Sequence, residues 1–249
     1  MSTVVFLGTG GARVMVAKQL LASGGLWLEL DGTRLAVDPG PGALVGATKR
    51  KLDPTKLSAV LLSHRHLDHS GDVNAMIEAM TLGGLEPRGT LFAPHDALED
   101  DPVVLRYLRR YLASVVELHE GGEYSVGTIS FRTPLRHQHH HTETYGFVFQ
   151  TATASLAYIP DTRYFPELAQ AYRADYLIIN VVLLEPRDLD HLSVPEVARL
   201  VTAIQPRRAV ITHFGMTVWR AHPWEVAARL TQETGVEVVA ARDGMRLEL

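Results

Sequence analysis

In Val60-Leu61-Leu62-Ser63-His64-Arg65-His66-Leu67-Asp68-His69, an apolar run of strand character stops at Ser63, and six residues then supply three imidazoles and one carboxylate. Burying so many polar donors together is costly, and a divalent cation turns the same crowding into a favourable ligand set. A solvated polar loop is the competing account, but such a loop has no need of four donors at this density. The chain has no cysteine, so any metal must be held by imidazole and carboxylate groups.

Working outward, the same pattern recurs. Leu35-Ala36-Val37-Asp38, Ala157-Tyr158-Ile159-Pro160-Asp161 and Val210-Ile211-Thr212-His213 are apolar runs that also stop at a potential ligand or ligand support. Strand ends can converge on one edge of a sheet, where ligand sites of open α/β sheets form. Asp31-Gly32 between two apolar runs predicts a tight hairpin joining strands 26–30 and 33–37. Further strands are expected over 3–7, 59–62, 90–92, 130–132, 145–150, 156–159, 176–179, 209–211 and 237–239. Helices are expected over 70–81, 96–112, 193–204 and 223–234, the third announced by the capping box Ser193-x-x-Glu196. Hairpins mixed with strand-helix units favour helix-covered sheets over a parallel barrel. No Pro/Ser-rich linker divides the chain, which predicts one domain over 1–249.

Hydrophobic residues make up 46% and charged residues 21% of the 249, a globular composition with enough apolar surface for a large core. No apolar run approaches the roughly 20 residues that span a bilayer, and residues 1–9 lack a basic, cleavable leader, so a cytoplasmic protein with no membrane partner is expected. A net charge of −4 with no long basic stripe argues against nucleic acid as the main partner. Lys49-Arg50-Lys51 reads as the cationic end of a short helix after Gly42. Gly8-Thr9-Gly10-Gly11 lacks the spacing of a nucleotide loop and reads as a tight turn beneath the metal site.

The His64-x-His66-x-Asp68-His69 run after a strand, the opening Phe6-Leu7-Gly8-Thr9-Gly10, Asp38-Pro39-Gly40 and the later His and Asp positions make nearly the whole chain similar to the metallo-β-lactamase superfamily. Within it the chain most resembles the branch of ribonuclease Z and the phosphodiesterase PhnP. The resemblance implies an α/β (α+β) fold, a four-layer αβ/βα sandwich with two metals at one edge. It assigns His64 and His66 to one metal and Asp68 and His69 to the other. The third ligand of the first metal should be a His six residues before a Gly-aromatic pair. In His137-Gln138-His139-His140-His141-Thr142-Glu143-Thr144-Tyr145-Gly146-Phe147 that spacing gives His140, with His139 and His141 one step away as alternatives. Asp161 matches the bridging carboxylate and His213 the last ligand of the second metal. His191, just before the capped helix, matches a His that acts on the phosphate as proton donor or transition-state stabiliser. Asp68 and His191 are thus the candidate catalytic residues. Asp38 is expected to accept the second ring N–H of a ligating histidine, whereas Asp190 reads as a solvated loop acid. His95, His119 and His222 have no supporting context.

The expected reaction is hydrolysis of a small cyclic or linear phosphodiester by a hydroxide between two divalent metals, zinc first, with manganese or iron as alternatives. Processing of tRNA 3′ ends is the second choice and a glyoxalase-like thioesterase a third. A metal-binding interaction module is the reading from outside enzymology, and the completeness of the hydrolytic set argues against it. Absence of cysteine excludes the cysteine-using β-lactamases, and His66 stands where a flavodiiron protein would carry an acid. A homodimer is expected only by analogy with related folds.

Overall fold

The computed structural model describes residues 2–249. Asp31 and Gly32 have φ of 47° and 85°, the left-handed pair that a two-residue type I′ turn requires. β1 (Thr3–Phe6) pairs antiparallel with β2 (Leu26–Leu30), and the turn folds β2 onto β3 (Thr33–Val37) with Leu30 opposite Thr33. Beyond β3 the pairing becomes parallel through β4 (Ala59–Leu61), β5 (Thr90–Pro94) and β6 (Ser114–Leu118).

A second sheet has the same layout. β7 (Gly122–Val126), β8 (Ile129–Thr133), β9 (Phe147–Gln150) and β10 (Ser155–Ile159) are successive antiparallel neighbours. From β10, parallel pairing runs through β11 (Tyr176–Asn180), β12 (Arg208–Thr212) and β13 (Val238–Ala240). β14 (Arg246–Glu248) returns to close the first sheet beside β1.

The two-residue period of each strand decides which side chains meet. Leu26, Leu28 and Leu30 point between the sheets with Leu35, Val37, Phe147, Phe149, Leu156 and Tyr158, forming the central core. Their alternates Trp27, Ala36, Val60 and Leu62 face outward and pack under helices α2 (Ala43–Lys49) and α4 (Val73–Met80). On the far side Ala157, Ile159, Leu177, Ile179 and Ile211 pack under α8 (Val194–Ile204) and α10 (Pro223–Thr234). The result is the expected αβ/βα sandwich. The shorter helices are α1 (Ala12–Lys18), α3 (Leu67–Ser70), α5 (His95–Leu98), α6 (Arg106–Arg109), α7 (Glu167–Ala171) and α9 (Met216–Arg220). Among the described residues no helix is long and apolar enough to cross a membrane.

The capping box at Ser193 forms, with the Glu196 carboxylate accepting from the Ser193 backbone N–H at 2.8 Å, and α10 spans the expected residues. Two other helices differ. The one expected over 70–81 breaks between α3 and α4, because Asp72 leaves the helical ladder to donate its N–H to Pro39 O and to accept the Leu44 N–H. The one expected over 96–112 breaks into α5 and α6: Asp101 is left-handed at φ 67° and Pro102 has no N–H to give. β6 and β7, not expected as strands, are sheet edges whose exposed faces carry Ser114, Glu117, Glu123 and Ser125, which dilutes an apolar signal.

Candidate metal centre

Because β3 and β4 are parallel, and β10, β11 and β12 are parallel, the loops leaving their carboxyl ends emerge together on one edge of each sheet. Asp38, His64, Asp161 and His213 follow four of these strands, and Asn180 ends the fifth.

Asp38 organises the first sheet's contribution. It is 1% exposed and held at φ 50°. Its Oδ1 accepts the Ser63 backbone N–H at 2.6 Å, while Oδ2 accepts the Ser63 hydroxyl at 2.6 Å, the Tyr158 hydroxyl at 3.1 Å and His69 Nδ1–H at 2.9 Å. Since Ser63 spends its only hydroxyl proton on Asp38, its oxygen accepts from His64 Nδ1 at 3.0 Å. One carboxylate thereby sets two tautomers: His64 and His69 both carry the proton on Nδ1 and present a bare Nε2.

His139 is set in the same way from the other sheet, its Nδ1–H donating to Asp190 O at 2.7 Å. The Nε2 atoms of His64 and His139 each lie 3.0 Å from His66 Nδ1. Beside this triad stands another, Asp68, His69 and His213, with Asp68 Oδ2 3.5 Å from His213 Nε2. Asp161 reaches both. Its Oδ2 lies 3.5 Å from His69 Nε2 and 3.8 Å from His139 Nε2, its Oδ1 lies 3.3 Å from His213 Nδ1, and Asn180 Nδ2 donates to Oδ1 at 3.0 Å. His213 sits at φ 59° with its ring against Gly11, where a Cβ would stand 2.0 Å from Nδ1. The glycine turn is therefore a floor for that imidazole, and the next backbone N–H, that of Ala12, donates to Asp68 Oδ2 at 3.2 Å.

This donor set fits divalent cations. His69 Nε2, His191 Nδ1 and both ring nitrogens of His213 are buried without a hydrogen-bond partner among the described residues, a penalty of about 1–3 kcal/mol for each such atom. Ligands on a tetrahedral zinc, at roughly 2.0–2.1 Å from the metal, stand about 3.3 Å apart; neighbouring donors here approach to between 3.0 and 3.8 Å, and all the donor atoms within each triad lie within 4.8 Å of one another.

Protonation agrees with that fit. Burial, reinforced by positive charge on His69 and His139, pushes His64 well below the imidazole range. Burial brings His139 down to about 4 and also lowers His191. His69 moves the other way: despite its burial, Asp38, Asp68 and Asp161 push it up, so the local field favours a positive charge beside that ring. Asp161, against the cost of burial, is held below the carboxylate range by His213, His191 and His69. Asp68, against the same cost, is held low by His69 and His213.

Of the expected residues, His64, His66, Asp68, His69, Asp161, His191 and His213 converge. His140 is placed differently: its ring groups with His139 and His191 at the rim, and it is His139, one residue earlier and 2% exposed, that closes the triad with His64 and His66. The Thr142 N–H and hydroxyl both bond His139 O, at 3.2 and 2.8 Å, which makes a tight turn. His140 sits on it at φ 47° with its side chain 38% exposed. Asp190 is no solvated acid, since its carboxylate accepts the His140 N–H and Arg163 Nε, both at 2.7 Å, while its carbonyl orients His139. His191 Nδ1 faces Asp161 Oδ2 at 3.5 Å. His95 pairs on the surface with Glu117. Asn180 went unnoticed in the sequence, although Tyr176-Leu177-Ile178-Ile179-Asn180 repeats the pattern of an apolar strand stopped by a polar residue.

Three clefts open beside the cluster; one, about 430 Å³, is lined by His139, His140, Arg136 and Arg163, and the other two share Arg13 and His140 as lining. The larger of these two, about 760 Å³, also exposes Arg65, His66 and His141. The smaller, about 440 Å³, exposes His191 and a largely apolar wall including Val14, Leu183, Leu189 and Met216.

Comparison with known proteins agrees with this architecture. Residues 33–214 match the family described as the β-lactamase superfamily domain. The protein MJ1374 of Methanocaldococcus jannaschii is 30% identical over 99% of this chain and 94% of its own length. The metallo-β-lactamase fold protein YhfI of Bacillus subtilis superposes with a TM-score of 0.83 at 19% identity, covering 100% of this chain and 99% of that one. A diphosphatase of the PhnP family superposes with a TM-score of 0.75 at 17% identity, covering 100% and 98%. The matched segment runs from the second hairpin strand to the residue after His213 and so contains every member of both triads; the chain belongs to the β-lactamase superfamily.

Proposed function

We propose that this metal-dependent hydrolase is a phosphodiesterase with a dinuclear centre. His64, His66 and His139 would hold one cation and Asp68, His69 and His213 the other, with the Asp161 carboxylate between them. The convergence of the two triads on Asp161 is the observation that carries the reading. Zinc suits the nitrogen and oxygen donors, and manganese or iron take the same set. Bound cations lower the pKa of water and neutralise charge developing on phosphoryl oxygens.

The chain's own groups do the rest. Asp38 and Ser63 keep His64 and His69 in the tautomer that leaves Nε2 free. His191, lowered by burial and therefore neutral at pH 7, lines the smaller cleft beside Asp161 and donates a hydrogen bond to the leaving oxygen. The guanidinium groups of Arg13 and Arg65 on the wall of the larger cleft favour an anionic substrate over a neutral thioester.

Protein stripped with a chelator and reloaded with Zn, Mn or Fe is expected to hydrolyse bis-p-nitrophenyl phosphate and 2′,3′-cyclic nucleotides only when loaded. No turnover with any of the three metals would overturn the proposal, and preferential, site-specific cleavage of precursor tRNA would replace the small substrate with tRNA. His139 and His140 provide a second check. His139→Ala is expected to lose about one metal equivalent and roughly a hundredfold in kcat/KM, whereas His140→Ala keeps both metals by elemental analysis. The reverse pattern would return the ligand to His140.

A further inference from the structure

Arg13 takes no part in the hydrolytic step and so far lends only its charge to the cleft wall. It follows Ala12, whose N–H rests on Asp68, and its exposed side chain lines both clefts where they meet beside His140. The other arginine of the larger cleft is already engaged: Arg65 Nη1 donates to Asp100 O at 2.6 Å, and Nε lies 3.4 Å from Asp96 Oδ2. Arg163 is likewise tied to Asp190 and Asp188. No acidic side chain among the described residues lies within ion-pairing distance of Arg13, although Asp101 contributes to the same cleft wall. A guanidinium with no protein partner, set at the mouth of a site for anions, presents its planar fork to a phosphate.

The two clefts differ in chemistry. The smaller is walled by Val14, Leu183, Leu189 and Met216 and suits an apolar ring. The larger joins Arg13 to Arg65, His66, His140 and His141 and suits a charged group. A substrate that fills both has an apolar moiety on one side of the scissile phosphate and a second anion on the other.

We infer that the substrate carries a second phosphate group besides the scissile phosphodiester, bound by Arg13 in the larger cleft, so that Arg13 sets specificity for terminally phosphorylated nucleotide diesters. This rests on the phosphodiesterase reading.

The test compares the metal-loaded enzyme on two linear dinucleotides that differ only in a 5′-phosphate, pdTpdT and dTpdT. The wild-type protein is expected to prefer pdTpdT by about tenfold in kcat/KM, the scale of one charge-assisted phosphate contact at a partly solvated site. Arg13→Gln brings the ratio close to one, and Arg13→Lys restores part of it, because lysine keeps the charge without the fork. A general structural defect lowers both rates together and leaves the ratio alone. An unchanged ratio in Arg13→Gln overturns the inference, as does hydrolysis of bis-p-nitrophenyl phosphate with neither dinucleotide cleaved. If bis-p-nitrophenyl phosphate is itself inert, the phosphodiesterase reading has failed, and binding decides the anion site separately. Calorimetric titration with thymidine 3′,5′-bisphosphate and thymidine 5′-monophosphate should then show a preference for the bisphosphate that Arg13→Gln abolishes; an equal preference in the two proteins overturns it.

Discussion

Asp161→Ala is expected to lower kcat/KM on bis-p-nitrophenyl phosphate by at least about a thousandfold and to remove metal from both positions. Among the described residues no other carboxylate lies within ion-pairing distance of rings in both triads: His69 and His213 of one, His139 of the other. It is 3% exposed and fixed by Asn180, so water is poorly placed to take over its role. Removing it also leaves His69, His191 and His213 facing one another without their shared counter-charge. Elemental analysis beside steady-state kinetics makes the check. Two retained metal equivalents with activity within tenfold of the parent would mean that Asp161 is a structural acid and that the dinuclear reading is wrong.

The largest effect on stability is expected at Asp38. Asp38→Ala strands the Ser63 N–H, the Ser63 hydroxyl, the Tyr158 hydroxyl and His69 Nδ1–H inside the protein. Buried donors lost as a set cost about 3–5 kcal/mol, and urea denaturation of the stripped protein should show a loss of that size. Alanine at φ 50° adds about 1 kcal/mol of backbone strain, which Asp38→Asn avoids because asparagine tolerates the left-handed region. Asn keeps the shape and one oxygen but turns an NH2 group toward donors, so it should recover part of the stability and little of the order at His64 and His69. Metal affinity, measured by competition with a chromophoric chelator, is expected to fall about ten- to a hundredfold in both variants. A stability loss below about 1 kcal/mol in Asp38→Ala would show that these donors find other partners.

Both expectations depend on residues that could be singled out before any coordinates, and the reason is local. Asp38, His64, Asp161 and His213 each end an apolar strand, and a strand of period two that stops at a polar residue is visible in one dimension. The hairpin at Asp31-Gly32 and the capped helix at Ser193 are legible for the same reason, since a two-residue turn and a capping box are chemical requirements on neighbouring residues. His139 was harder to read. Counting back from Gly146 selects His140 only if the intervening chain keeps a standard path, and the bonds from Thr142 to His139 O shift that path by one residue. Such turns are decided by side-chain hydrogen bonds that spacing does not encode. The broken helix at Asp101-Pro102 has its cause in the sequence, whereas Asp72 leaves its helix for partners at Pro39 and Leu44, which adjoin it only in the folded chain. Edge strands β6 and β7 lie at the other limit: β6 does not alternate, and β7 alternates but offers only Tyr124 and Val126 to the core between exposed Glu123 and Ser125, too short an apolar signal to stand out.

The like layout of the two sheets has a thermodynamic consequence. On the proposed ligation each cation takes two donors from the first sheet's β4–α3 segment, His64 and His66 or Asp68 and His69, and its third from the second sheet's side, His139 or His213. Neither half of the chain owns three ligands for either cation. The cations are then rivets through the open rim of the sandwich, and their binding energy adds to the hydrophobic contact and the few hydrogen bonds that join the halves at that edge, among them Tyr158 to Asp38 and the Tyr145 N–H to Ser63 O. Occupancy becomes a record of assembly: a molecule whose halves have not docked can neither retain the ions nor hydrolyse anything with them, so incompletely folded chains stay chemically silent.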